Sequence, residues 1–120
     1  MHFHEVRAVD FSNIGFDDEH MDQLCNYLEK NPALYSVTLD RNVFTDAGVK
    51  KLAKVLKNNT VLAHLSIKGC KNVTDEGLRD LLEVITYHNM ILFEIHLDGA
   101  QFDESLSKEL VGSASLNRAV

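Results

Sequence analysis

Four groups of residues in this sequence have the types and spacing to do chemistry. His64-x-Ser66 and Glu94-x-His96 supply a hydroxyl, two imidazoles and a carboxylate. Those are the parts of a nucleophile with its base, or of a metal site. Lys50, Lys51, Lys54 and Lys57 form a local run of cations that could dock an acidic surface. Cys25 and Cys70 are the only thiols, and His2 and His4 alternate near the start. None of these has a local metal-ligand or nucleophile motif, so what they can do depends on the elements that carry them.

The elements emerge once the apolar residues are aligned, because the chain repeats. One unit reads Val6-x-x-Val9-x-Phe11, then Phe16, Met21, Leu24 and Leu28. The second reads Leu34-x-x-Val37-x-Leu39, then Phe44, Val49, Leu52 and Leu56. The third reads Leu62-x-x-Leu65-x-Ile67, then Val73, Leu78, Leu81 and Ile85. The fourth reads Leu92-x-x-Ile95-x-Leu97, then Phe102, Leu106 and Leu110. A period of 28 to 30 residues held through four units marks a stack of supersecondary elements.

Each unit changes its inner period. Val37-x-Leu39 alternates by two, as a half-buried strand does, while Val49, Leu52 and Leu56 recur at three and four, as a helix stripe does. Thr45-Asp46 and Thr74-Asp75, with Asp17 and Asp103, offer side-chain oxygens to the amides that open each helix. Lys30-Asn31-Pro32, Asn58-Asn59-Thr60 and His88-Asn89 close the helices. The pattern predicts strands near 6–12, 35–40, 63–68 and 93–98, and helices near 17–30, 46–58, 75–88 and 103–114. It divides one domain, residues 1–120, into units at about 6–33, 34–61, 62–91 and 92–120. Strand–helix units in series give parallel strands with right-handed crossovers. Strands sit ~4.8 Å apart and helices ~8–10 Å apart, so the stack must curve with its helices outside. The expected fold is an α/β right-handed solenoid, a short horseshoe arc with a parallel sheet on its concave face.

Composition bounds the function. At 45% apolar and 25% charged, the chain can build a core. Its longest strictly apolar run, Met90-Ile91-Leu92-Phe93, is far short of the ~20 residues that span a bilayer. Met1-His2-Phe3-His4-Glu5-Val6 has neither the basic region nor the apolar core of a secretory signal. Two cysteines point to a reducing, cytoplasmic setting rather than a disulfide framework. A net charge of −6 argues against nucleic acid as a partner.

The stretch from Leu34 to Asn59 resembles a leucine-rich repeat of the ribonuclease-inhibitor type, L-x-x-L-x-L-x-x-N-x-L followed by x-x-x-G and a helix. Leu65-Ser-Ile67-Lys-Gly-Cys70-Lys-Asn-Val73-Thr-Asp-Glu-Gly77-Leu78 is closer to the cysteine-containing subtype of F-box receptor proteins. Leu52-Ala-Lys-Val-Leu56-Lys-Asn-Asn59-Thr-Val-Leu62 resembles the repeat domain of actin-filament pointed-end caps. The first resemblance implies structural roles for Asn42, Cys70, Gly48 and Gly77. It also implies that Ile14 and Ala100 stand where the other units carry the repeat asparagine or cysteine.

On such a stack the residues between the inward ones face the concave side. They form the columns Ala8-Ser36-His64-Glu94, Asp10-Thr38-Ser66-His96 and Ser12-Asp40-Lys68-Asp98. Small polar residues dominate, with no large aromatic. His64 and Glu94 become cross-strand neighbours beside Ser66 and His96, on an open face without the pocket that catalysis needs. The candidate contacts are therefore Asp10, Thr38, Asp40, His64, Ser66, Lys68, Glu94, His96 and Asp98 on the concave face, with the four lysines on the convex face. No catalytic or metal-ligating residue, cofactor, small-molecule substrate or membrane segment is expected. The reading is a non-enzymatic protein-binding scaffold subunit whose partner covers one or both solenoid ends. The alternatives are an F-box-type receptor fragment and an actin- or cytoskeleton-binding repeat domain.

Overall fold

The computed structural model describes residues 7–30, 33–88, 91–92, 94–97 and 101–119. Expectations placed on His2, His4, Val6, Asn31, Pro32, Asn89, Asp98 and Ala100 lie outside the described residues. Strand and helix alternate four times: β1 (Ala8–Asp10), α1 (Asp18–Lys30), β2 (Ser36–Thr38), α2 (Asp46–Leu56), β3 (His64–Ser66), α3 (Asp75–Tyr87), β4 (Glu94–His96) and α4 (Glu104–Ala119). The strands, three residues each, are shorter than the alternating pattern suggested, although backbone hydrogen bonds between units run on past them, as from Leu39 to Ser66 and from Arg41 to Lys68. The last helix runs five residues past its expected end at 114.

The four strands form one parallel sheet in the order β1-β2-β3-β4. Its register aligns Ala8, Ser36, His64 and Glu94 in one row and Asp10, Thr38, Ser66 and His96 in another. Between these rows run Val9, Val37, Leu65 and Ile95, which turn to the other side of the sheet. Val37 and Leu65 are almost wholly buried. There they join Phe44, Leu52, Leu56, Leu78 and Leu81 in one continuous apolar core. Burying a side chain of this size stabilises by about 1.5–3 kcal/mol. Each helix packs on its neighbours in sequence, so the molecule is a sheet layer and a helix layer, 49 × 36 × 18 Å overall.

Polar side chains stitch one unit to the next on both sides of this core. Where the chain leaves the sheet, Asn42 spans two units. Its Oδ1 accepts from the amides of Ile14 and Phe16, both at 3.0 Å. Its Nδ2 donates to the carbonyls of Phe11 at 2.8 Å and Leu39 at 3.1 Å. Cys70 repeats part of this with a thiol, donating to the Leu39 carbonyl at 3.1 Å. In the last unit the same work falls to Gln101, whose Nε2 donates to the carbonyls of Cys70 and Val73. The sequence pattern had directed attention to Ala100, and the polar residue one place later was missed.

A second set of clasps runs along the helix starts. Thr45 caps α2, its hydroxyl oxygen accepting from the Ala47 amide. The same Thr45 donates its own amide and hydroxyl to the two carboxylate oxygens of Asp18, at 2.8 and 2.7 Å. One unit on, Thr74 donates in the same way to Asp46. In the last unit the Asp103 amide donates to Asp75 at 3.0 Å. Asp46 and Asp75, read from sequence as caps of their own helices, thus reach forward to the next unit. Gly48 and Gly77 make the reach possible, since a Cβ on either would stand 2.5 Å from the carboxylate of Asp18 or Asp46.

Candidate functional site

The face of the sheet turned away from the core carries most of the side chains expected to make contacts. Its first row brings His64 and Glu94 together, and the turn of the chain before β2 adds Tyr35. His64 Nδ1 lies 3.4 Å from Glu94 Oε2, and Glu94 Oε1 lies 2.7 Å from His96 Nε2. On the other side, His64 Nε2 lies 3.0 Å from the Tyr35 hydroxyl, with the two rings 4.8 Å apart and tilted by 59°. With both rings neutral, one tautomer assignment serves these contacts. Tyr35 donates to His64 Nε2, His64 Nδ1–H points to Glu94, and His96 Nε2–H donates to Glu94. The result is an unbroken string, Tyr35–His64–Glu94–His96, across three strands. The His96 bond, with the nearby His64 ring, holds the Glu94 carboxyl below the usual range despite some desolvation. Glu94 is therefore an anion, and it is 39% exposed.

Tyr35 was not among the residues read from sequence as facing a partner. By strict alternation with Val37 it would point into the core. Its amide and carbonyl bond to Arg7 and Ala63 of the flanking units, while its side chain turns outward to the His64 ring and is 39% exposed.

The remaining residues of this face divide in two. Asp40 is buried, its Oδ1 accepting from the Ser66 hydroxyl at 2.6 Å and the Lys68 amide at 2.8 Å. It holds the turn after β3 rather than facing outward. Ser66 is buried with it, so its hydroxyl is directed at a carboxylate and not at an imidazole. The hydroxyl–imidazole–carboxylate alignment that would make Ser66 a nucleophile is not formed. Asp10 accepts from the Ser12 amide and hydroxyl, which lowers its pKa. Thr38 is half-buried and Lys68 exposed. Among the described residues, no group of three or more His, Cys, Asp or Glu is placed to hold a metal ion.

The lysines of α2 stand between two acidic helices. Lys51 Nζ lies 2.7 Å from Asp22 Oδ1 on α1, and Lys50 Nζ lies 3.5 Å from Glu76 Oε1 on α3. The Asp22 hydrogen bond raises the Lys51 pKa. Lys54 and Lys57 border an open groove of about 350 Å³ that also holds Asp80, Glu83 and His88. The basic run is thus laced to acids on both sides and is not a continuous cationic surface. Cys25 is buried among Met21, Leu24 and Leu28, and burial together with the charge of Asp22 pushes its thiol up to about 11. Cys70 is also buried and raised for the same first reason.

At the edge of the first unit lies an apolar recess of about 390 Å³ between β1 and α1, lined among others by Val9, Phe11, Ile14, Phe16, Leu24 and Tyr27. Ile14 at its rim is 61% exposed.

No protein-family model matches the chain. No curated protein matches it either. Solved structures do resemble it. One is leiomodin-1 actin-binding site 2, with a TM-score of 0.85 and 17% identity over 95% of this chain. Another is the tropomodulin C-terminal domain of Caenorhabditis elegans, with a TM-score of 0.76 and 13% identity over 92% of this chain. The chain spans 65% of the length of each of these two structures. At these identities the likeness establishes the fold, which is leucine-rich-repeat-like. It also corrects the assignment to the ribonuclease-inhibitor type, since the matching folds are the leiomodin and tropomodulin domains and not typical members of that type. The physical difference is visible in the clasps. Among the described residues the repeat asparagine appears once, as Asn42, and a cysteine and a glutamine take its place elsewhere.

Proposed function

We propose that this chain is a non-catalytic protein-binding module whose partner is an actin-type cytoskeletal protein. The observation that carries the reading is the fold shared with leiomodin-1 actin-binding site 2, at a TM-score of 0.85 over 95% of this chain. In this reading the strand–helix units form a right-handed arc. The open face of the sheet is concave, and the module meets its partner as a preformed rigid surface, which lowers the ordering cost of association. An actin-type partner would place the chain in the cytoplasm. No cofactor, small molecule, nucleic acid or membrane enters the mechanism.

Co-sedimentation with actin filaments, paired with capture on immobilised actin monomers, tests the proposal. Saturable binding in either arm is the expected result, and absence of binding in both would overturn it. Reversing Lys54 and Lys57 to Glu, and separately Glu94 to Lys, would tell the helix side from the sheet side. Thr38, Lys68 and Asp10 make secondary contacts on the sheet side.

A second reading places the partner over the edge of the first unit, and the open apolar recess beneath Ile14 favours it. In that reading Ile14→Asp would abolish binding, whereas the Glu94→Lys variant would still bind.

A further inference from the structure

We infer that the Tyr35–His64–Glu94–His96 string is a receptor for an arginine side chain presented by the protein partner, and that protonation of its two imidazoles releases that arginine. The inference rests on the protein-binding reading, but not on the partner being actin.

The argument starts from the carboxylate. Each oxygen of Glu94 faces one imidazole nitrogen, Oε1 to His96 at 2.7 Å and Oε2 to His64 at 3.4 Å. These two contacts restrain the carboxylate, which stays 39% exposed to a partner. A planar guanidinium offers two parallel N–H bonds to such a carboxylate, whereas an ammonium meets it only as a point charge. Beside the carboxylate stands an aromatic wall, the Tyr35 and His64 rings 4.8 Å apart. Guanidinium planes stack on aromatic faces, and ammonium groups do so less often. The face is open, so a side chain carried on another protein can reach it.

Charge fixes the sign of the response. With neutral imidazoles the string carries −1, the charge of Glu94. With both imidazoles protonated it carries +1 and repels a cation. Imidazoles ordinarily make that change between pH 5 and 8. Among the described residues, the other charged groups near this face do not compensate. Asp40 is buried and bonded to Ser66 and Lys68, and Asp10 is bonded by Ser12, with Arg41 within electrostatic reach. Lys68 is exposed. Among the described residues, Tyr35 is the remaining titratable group in contact. The helices pack on the opposite side of the sheet.

The test uses the whole chain and a small probe. Nα-acetyl-arginine amide is titrated while the imidazole carbon-bound protons of His64 and His96 are followed by NMR. Nα-acetyl-citrulline amide, nearly the same shape without the charge, serves as the control. At pH 7.5 the arginine probe should shift both imidazole signals saturably, and the citrulline probe should not. At pH 5.5 the arginine response should fall at least tenfold. Glu94→Gln, a surface change that keeps the shape, should abolish it, and the imidazole signals should otherwise stay dispersed as in a folded chain. Equal response to citrulline, an unchanged response in Glu94→Gln, or no response at pH 7.5 would each overturn the inference. A lysine probe that binds as tightly as arginine would also overturn it. Actin co-sedimentation separates the two readings. If the wild-type chain takes up arginine but binds no actin, the actin reading fails and the receptor stands. If Glu94→Gln loses arginine uptake but binds actin unchanged, the string is not the contact in the complex, and the inference fails while the actin reading stands.

Discussion

Gly77 and Gly48 should respond to alanine with the opposite sign from Gly112, although all three lie in helices. In a helix, glycine is about 1 kcal/mol less favourable than alanine, so Gly→Ala stabilises where nothing is in the way. At Gly112 a new Cβ meets nothing within 4 Å, and the full gain of up to about 1 kcal/mol should appear. At Gly77 the Cβ would stand 2.5 Å from Asp46 Oδ1 and 3.4 Å from Val49 Cβ. The carboxylate must swing away, and with it go two hydrogen bonds from Thr74. Hydrogen bonds to a charged acceptor contribute about 1.5–3 kcal/mol each, but this pair is exposed and water can replace part of it, so the low end applies. Setting about 2–3 kcal/mol lost against at most about 1 gained leaves Gly77→Ala about 1–2 kcal/mol less stable than the parent. Gly48→Ala should cost more, because the Asp18–Thr45 clasp it displaces is partly buried.

Urea unfolding followed by far-ultraviolet circular dichroism reads these differences as shifts in midpoint at constant slope. The decisive arm is a double-mutant cycle. Once Asp46 is Ala, the obstruction has gone and Gly77→Ala should turn stabilising, a coupling of about 2 kcal/mol between the two sites. If Gly77→Ala stabilises the parent as Gly112→Ala does, or if the cycle closes within about 0.5 kcal/mol, the clasp does not hold the units together.

Asn42→Ala should destabilise by about 2–4 kcal/mol, because it strands the Ile14 and Phe16 amides and two carbonyls at once; a urea midpoint within error of the parent would contradict that. Cys25, raised to about 11, should resist a thiol reagent at pH 8 until urea unfolds the chain. The sign for stability follows: the unfolded thiol ionises first, so stability falls as pH rises from the ordinary thiol value of about 8.5 towards 11, and Cys25→Ser should flatten that alkaline limb. The lowered carboxyls of Asp10, Asp17 and Glu94 act at the other end, contributing stability above their ordinary values that is lost as pH falls through their folded ones, which acid titration of the unfolding midpoint will follow. Lys51→Ala should change stability by less than about 1 kcal/mol, since its pair with Asp22 is half exposed.

The repeat was readable because burial imposes a period. Val37, Leu39, Phe44, Val49, Leu52 and Leu56 sit where one strand and one helix must share a core, and the spacing recurs because each unit stacks on the same neighbour. Charge and hydrogen bonding impose no such period, and there the sequence misled in particular places. Asp40 looks outward by alternation yet is turned in, because Ser66 and the Lys68 amide, 26 and 28 residues away, offer it better partners than water. Lys50 and Lys51 read as a basic patch along the chain, but their acids lie on the flanking helices, 26 and 29 residues distant. Tyr35 is absent from the columns read from the strand pattern, and its outward turn meets His64 of the next unit. Each miss comes from a partner in another unit, which only the stacking register supplies.

That register also explains how the fold separates stability from recognition. The clasps of Asn42 and of Asp18 and Asp46 lie in the turns between strand and helix. The open rows on the sheet, from Ala8 to Glu94 and from Asp10 to His96, lie apart from those turns. Their side chains can change without loosening a clasp, as the run of alanine, serine, histidine and glutamate along one row illustrates. Only Ser66 breaks the rule, through its bond to Asp40, and it is the one buried residue of its row. A ring string such as Tyr35–His64–Glu94–His96 can therefore arise on this face at little structural cost. Removing Glu94 should alter what the face binds far more than it alters folding.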